Sequence, residues 1–475
     1  MAAAAEAEEV ADARPPTRPA PRRGGGEGAD PPPPRPGGGQ SAGADLAVKI
    51  GWALFAAGLA VVAWQRGSLI GGVGALTAFG GTLVALLARF VRDRRLRAAG
   101  LPARPAPLEA PLGIALVAFG FVALLYPAFT TREVFRELVE EFPFGPMVAV
   151  GLIFSGIILL LDYLDRPAPA EPAFVRPEPD WRHRVKMLFV PGLNVYLFAK
   201  YLHESWVGID EEAATEREAR AAAGKGYDFR PLVVFTTGAV FLGLMEYFGH
   251  APTLRDLVDH YDPVGRITEP ETFWAIIRES PFRRLIDFVW WSGWRLLGFF
   301  LLPCLVLALM RERISAYGLQ TRGFSDHAWM YFGFYVWVLA TVIWVSYEDS
   351  FREYYPFYSD ASRSWYDFWA WEALYAVQFF SLEFFFRGFW VKAGKTQMGS
   401  HAIYAMVVPY VMIHFGKPYM ETNAAILAGV ALGTLALRTR SIWAGFLIHV
   451  SIAISMDVAA LMQTTGLPTQ WWPDV

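Results

Sequence analysis

The chain has 475 residues, 54% of them apolar and only 18% charged, with a formal net charge of −3. That is too little charge for a soluble domain of this length, and a near-balanced total segregated into loops gives no support to nucleic-acid binding. The single cysteine, Cys304, excludes an intrachain disulfide and a thiolate metal cluster; in its apolar run it reads as a small packing residue.

Residues 1–44 are Ala, Pro, Gly, Arg and Glu with almost no large apolar side chain. Such a segment cannot bury enough surface to offset its ordering entropy, so a disordered tail is expected. No short basic start leads directly into an apolar core, so it is not a cleavable signal. Apolar runs of about 20 residues, the length that crosses a bilayer as a helix, then recur. They fall near 46–64, 69–91, 110–128, 145–164, 231–250, 285–310, 327–347, 367–391, 401–415, 422–437 and 442–463. The fold class is therefore all-α, a polytopic transmembrane bundle of about eleven spans. The 185–200 run is short, contains Pro191-Gly192 and is bounded by basic residues. An interfacial or re-entrant element is expected there.

Arginines set the orientation. Residues 89–104 carry Arg89, Arg92, Arg94, Arg95, Arg97 and Arg104 against Asp93. That loop should be cytoplasmic, and the N-terminus with it, in a bacterial-type inner membrane. Eleven spans then also bring Arg311/Arg313, Lys392/Lys395 and Arg438/Arg440 inside. Five regions follow: the tail 1–44, a four-helix membrane region 45–165, a charged cytoplasmic linker 166–230, membrane helices with aromatic outer loops 231–366, and a core 367–465. Within the linker, 210–223 reads as a solvated helix. The tyrosine- and tryptophan-rich 347–366 reads as an interfacial aromatic belt rather than a substrate groove.

The chemistry concentrates after residue 366. Glu383 and Arg387 lie one helical turn apart in an apolar run, close enough to pair. Ionisable groups inside a bilayer are expensive and usually face a bundle interior or a wet cavity. His414 ends the next apolar run, where Gly416 and Pro418 should stop the helix. His449 lies within the last long run. Each residue also has a plain structural reading: an ion pair locking helices, a histidine on freed carbonyls at a helix end, a satisfied core histidine. Glu372 reads as a belt carboxylate. Glu421 reads as an acid on a helix N-terminal dipole. Asp457 could orient His449 only through water or a kink. Glu246, Asp287 and Arg295 read as a separate polar seam. Depths counted at about 1.5 Å per residue set Glu383 and His449 level and His414 deeper, unless Pro409 kinks its helix.

At these residues the chain resembles the CPBP family, the CAAX-protease and bacteriocin-processing intramembrane peptidases. Glu383-Phe-Phe-Phe-Arg387-Gly388 matches the second glutamate, the arginine and the usual glycine of that family's first motif. Tyr410-Val-Met-Ile-His414 matches the second motif, and His449 starts the third. The resemblance spans about residues 367–465. Two positions depart: Leu382 stands where the family has its first glutamate, the usual water-activating base, and Ala453 where it has an asparagine.

The resemblance implies an intramembrane endopeptidase acting on a membrane-embedded or lipidated peptide. In it, Glu383 would activate water, Arg387 would position Glu383, and His414 with His449 would bind a divalent metal such as zinc or stabilise the oxyanion. The partners implied are membrane lipid and a membrane protein or peptide substrate. The departures favour an alternative, a non-catalytic relative that binds a partner helix or an isoprenoid lipid. A transporter using Glu246, Asp287 and Arg295 is a third reading.

Overall fold

The computed structural model describes residues 109–141, 145–164, 180–190, 192–261, 277–321 and 328–474, with isolated positions between 50 and 89. The expected tail, the first two spans and the arginine-rich loop 89–104 lie outside the described residues, apart from those positions. Helices account for nearly all the structure, and among the described residues the only strand-like pairing is the single bridge Leu319–Ser441. The protein is an all-α membrane bundle, as the apolar runs imply.

Ten helices matter here: α1 Glu109–Leu125, α2 Gly145–Leu164, α3 Leu193–Ala222, α4 Arg230–Phe248, α5 Arg283–Leu309, α6 Ala328–Val345, α7 over 365–398, α8 His401–Met412, α9 Tyr419–Thr439 and α10 Trp443–Gln463. Among the described residues five segments are long and apolar enough to cross a membrane: Ala110–Phe129, α4, α5, α9 and α10. Helices α6 and α8 are apolar and shorter. The expected spans from 110 onward coincide with helices to within a few residues.

Helix α7 is the axis of the core. Ser364 caps it, its hydroxyl accepting from the Asp367 amide at 3.1 Å, which satisfies an orphan donor of the first turn. Asp367 also accepts from Arg363 at 2.6 Å and from the Tyr358 hydroxyl at 2.7 Å. This pins the helix start and hence the register of everything after it. The helix widens to π geometry over Phe384–Trp390 before it resumes as Val391–Met398. Such widening re-aims side chains and recurs at functional sites. Phe384, Phe385, Phe386 and Phe389 are all fully buried there. Residues of α4, α5 and α8 complete this cluster.

The 185–200 run is not one element. It is a short helix, Trp181–Phe189, then the start of α3, with Gly192 at φ +76° between them. Nor is 210–223 simply solvated. It continues α3, a 30-residue helix that docks on α7 and α9 through buried Ser205, Gly208, Ile209 and Ala213. Two of its acids meet cations of other helices: Glu216 and Glu212 meet Lys395 Nζ at 2.5 and 3.1 Å, and Glu212 meets Arg440 at 3.0 Å.

The 347–366 aromatics are not an interfacial belt as a group. Tyr347 is exposed, but Phe351, Tyr355, Tyr358 and Tyr366 are buried. Phe351 and Tyr355 pack with Val342 of α6 and Ala460 of α10, while Tyr358 and Phe357 pack on Trp371 near the start of α7, Phe357 stacking at 6.2 Å. Aromatic rings bury large areas and favour such offset contacts, so the segment packs as part of the core.

Candidate active site

Glu383 sits on α7 and His449 on α10, and the structure brings them together: Nδ1 of His449 is 2.9 Å from Oε1 of Glu383. The same oxygen lies 3.2 Å from Nη1 of Arg387, one turn along α7. Side-chain exposure is 1% for Glu383 and 0% for Arg387, but 15% for His449. Of this trio, the imidazole is therefore the group least enclosed by protein. Leu382, about 100° round the helix from Glu383, is 3% exposed and belongs to the phenylalanine cluster. The two adjacent residues thus face opposite fates, one the polar trio and the other the apolar core.

Three further residues shape the trio, and the spacing analysis assigned none of them a task. Tyr410 on α8 places its hydroxyl 3.2 Å from Nε2 of His449. Its ring carries the Arg387 guanidinium at 4.0 Å from the centroid, a cation–π contact that offsets part of the desolvation of the charge. Phe379, one turn before Glu383, stacks flat on His449 at 5.2 Å with 2° between the planes. Gly445, one turn before His449, lies against Glu383: a Cβ there would strike Oε2. The i, i+4 spacing of Gly445 with His449, and of Phe379 with Glu383, is visible in the sequence. The contacts themselves depend on how α7 and α10 cross.

His414 is not in this group directly. Helix α8 ends at Met412, Gly416 follows at φ +88°, and His414 Nδ1 hydrogen-bonds the Tyr410 carbonyl at 2.7 Å. That is the helix-end role, a ring nitrogen meeting a freed carbonyl. His414 packs against the Tyr410 ring at 4.8 Å, so it reaches the trio only through Tyr410.

The remaining polar residues resolve separately. Glu372 is buried rather than at a belt, with Asp457 as its buried neighbour. Asp457 accepts from Trp371 Nε1 at 2.6 Å and does not orient His449. Glu421 stands in the first turn of α9, held by Lys417 at 2.6 Å and the Tyr355 hydroxyl at 2.7 Å. Of Glu246, Asp287 and Arg295, the first and last interact electrostatically, whereas Asp287 stands apart. Glu246 meets His250, Asp287 meets Arg255, and Arg295 stacks on Trp291 and Phe299.

A metal does not fit these donors as arranged. Among the described residues no three His, Cys, Asp or Glu side chains converge. Glu383 Oε1 is shared between a cation and an imidazole nitrogen, and His414 spends Nδ1 on a carbonyl. No step below passes through a metal. Outside the spans, burial raises the Glu216 carboxyl, but the charge and hydrogen bonds of Lys395 and Thr396 outweigh it and hold it below its ordinary value.

The comparisons with known proteins agree in place with the motif reading. Residues 364–455 match the family model described as type II CAAX prenyl endopeptidase Rce1-like. The match takes in all of α7, α8 and α9 and the first part of α10, and with them Glu383, Arg387, Tyr410, His414 and His449. No curated protein and no solved structure matches the chain significantly. The chain is thus an integral membrane protein with a CAAX-protease-like region that contains the polar trio.

Proposed function

We propose that the protein is an intramembrane endopeptidase that hydrolyses a membrane-embedded or lipidated peptide, with its basic ends in the cytoplasm. The observation that carries this reading is the 2.9 Å contact of Glu383 with His449, buried on the carboxylate side and open on the imidazole side. A carboxylate on one ring nitrogen fixes the tautomer and favours protonation at the other. The 2.9 Å contact is an ion-pair distance without hydrogen-bond alignment; a small turn of the ring lets His449 Nδ1–H donate to Glu383 and leaves Nε2 as the base that takes a proton from water. The Tyr410 hydroxyl, beside Nε2, hydrogen-bonds the water or the developing oxyanion. Arg387 offsets the charge of Glu383, and His414, bonded to the Tyr410 carbonyl and packed on its ring, holds Tyr410 in place. In this scheme Glu383 acts through His449 rather than on water directly, because its own oxygens are enclosed by Arg387, His449 and Gly445. The test is cleavage of a reconstituted transmembrane peptide followed by mass spectrometry. Wild type should yield defined fragments and Glu383→Gln none, and full turnover by that variant would refute the scheme.

One set of observations favours a second reading, a non-catalytic relative that binds a partner helix or an isoprenoid lipid. Leu382 is packed into the core where the resembled family has its first glutamate, and both ring nitrogens of His449 already face protein partners. In that case Glu383→Gln and His449→Ala lower thermal stability together, and no peptide is cut by any form.

A further inference from the structure

The chain between Trp181 and Lys200 takes no part in the chemistry above. It carries Arg182, Arg184, Lys186 and Lys200 and no acid, with Asp180 and Glu204 flanking it. In the short helix Trp181–Phe189, i, i+4 spacing sets Trp181, Val185 and Phe189 on one stripe and Arg182 with Lys186 on the next. All of these side chains are exposed, Trp181 at 68% and Phe189 at 51%. Beyond Gly192 the first turns of α3 are divided too. Leu197 and Tyr201 are buried, while Val195, Tyr196 and Lys200 are exposed.

The buried side says where this surface lies. Leu197 and Tyr201 share a core cluster with Leu435 near the end of α9, Ala444 near the start of α10 and Met330 at the start of α6. Arg438, in the last turn of α9, stands over the Tyr201 ring at 4.5 Å, and Arg184 stands over the Trp329 ring of α6 at 5.1 Å. Helices α9 and α10 are both long and apolar enough to span, and the chain turns between them at Arg440. Turns that join spans lie at the lipid headgroups, because exposed backbone does not occur in hydrocarbon. The segment therefore lies at one face of the bilayer, against the ends of the spans. A cluster of large exposed apolar side chains marks a contact surface. Cations beside it select an acidic one: their stems run over apolar carbon while their heads reach phosphate. Tryptophan and tyrosine suit the same boundary.

We propose that residues 181–200 form an in-plane docking surface for acidic phospholipid, with Trp181, Val185 and Phe189 among the upper acyl carbons and Arg182 and Lys186 on headgroup phosphates. It uses none of the residues around His449, so it stands whether or not the protein cuts peptides.

The experiment measures amide hydrogen exchange of the full chain in nanodiscs, one set of phosphatidylcholine alone and one with about a third phosphatidylglycerol. Peptides covering 181–200 should exchange about fivefold or more slowly in the acidic bilayer, while peptides from α8 exchange alike in both. Sodium chloride at about 0.5 M should close most of that gap by screening. The double variant Arg182→Gln with Lys186→Gln should close it too, with α8 exchanging as in wild type. Both side chains are exposed, so the variant tests the surface rather than the fold. Equal exchange of 181–200 in the two bilayers would overturn the proposal. So would a gap that salt and the double variant leave unchanged, or one that extends equally to α8.

Discussion

The imidazole of His449 touches the carboxylate of Glu383 at 2.9 Å, although 66 positions of chain separate them. Two packing facts hold them there. The Ser364 cap fixes the register of α7, and the Ile442–Gly318 hydrogen bond fixes where α10 begins. Between the two helices, Gly445 leaves the carboxylate its space.

Removing that space should show it. Gly445→Ala adds one methyl against Glu383 Oε2 and should destabilise the protein by about 1–3 kcal/mol through overpacking. The lost helix flexibility of glycine offsets less than about 1 kcal/mol of this. A lowered melting temperature in detergent checks it, and a stabilised variant would show that the carboxylate is not confined.

The buried pair makes a second prediction. Glu383→Ala leaves Arg387 as an uncompensated charge and should lower stability by about 3–5 kcal/mol. The double variant Glu383→Leu with Arg387→Leu removes both charges and should recover most of that loss. Chemical denaturation of the three proteins in mixed micelles measures the difference. Equal losses in the single and double variants would mean that the pair is not an isolated electrostatic unit.

Tyr410 separates two roles. Tyr410→Phe keeps the ring beneath Arg387 and loses the hydroxyl beside His449, so stability should fall by only about 1 kcal/mol. Tyr410→Ala also loses the cation–π contact and a large buried ring, and should cost about 3–5 kcal/mol. If the hydroxyl also serves the chemistry, Tyr410→Phe should reduce cleavage well beyond its small effect on stability.

The clamp of Glu216 with Lys395 predicts a pH effect. The folded Glu216 carboxyl titrates below its ordinary value of 4.5. Its contribution is therefore present above that value and is lost as pH falls through the lower, folded one. Glu216→Gln should melt below wild type at pH 7, and the gap should close in acid below about pH 4. A gap independent of pH would show that the contact with Lys395 and Thr396 acts without charge.

Much of this was legible in the sequence. Apolar runs gave helices to within a few residues from 110 onward, because hydrocarbon leaves few alternatives to a helix. The Glu383–Arg387 pair followed from i, i+4 spacing alone, and His449 from its place in the motif order. What stayed hidden depended on contacts between distant segments. Residues 210–223 read as solvated because acids are numerous there, yet two of them, Glu212 and Glu216, answer Lys395 and Arg440 on other helices. Glu372 looked superficial because nothing local reveals Asp457 as its buried neighbour. His414 carried the pattern of a site residue, while the helix end at Met412 gave its nitrogen a nearer carbonyl.

The central claim is that Glu383 and His449 act as one unit on a peptide bond, and a double-mutant cycle on cleavage tests it most directly. Initial rates on a reconstituted transmembrane peptide are compared for wild type, Glu383→Gln, His449→Gln and the double variant. Residues that act as a unit are grossly non-additive. All three variants should therefore fall to the same residual rate, about a hundredfold or more below wild type. Losses that multiply independently, or a Glu383→Gln protein that cuts at the wild-type rate, would contradict it.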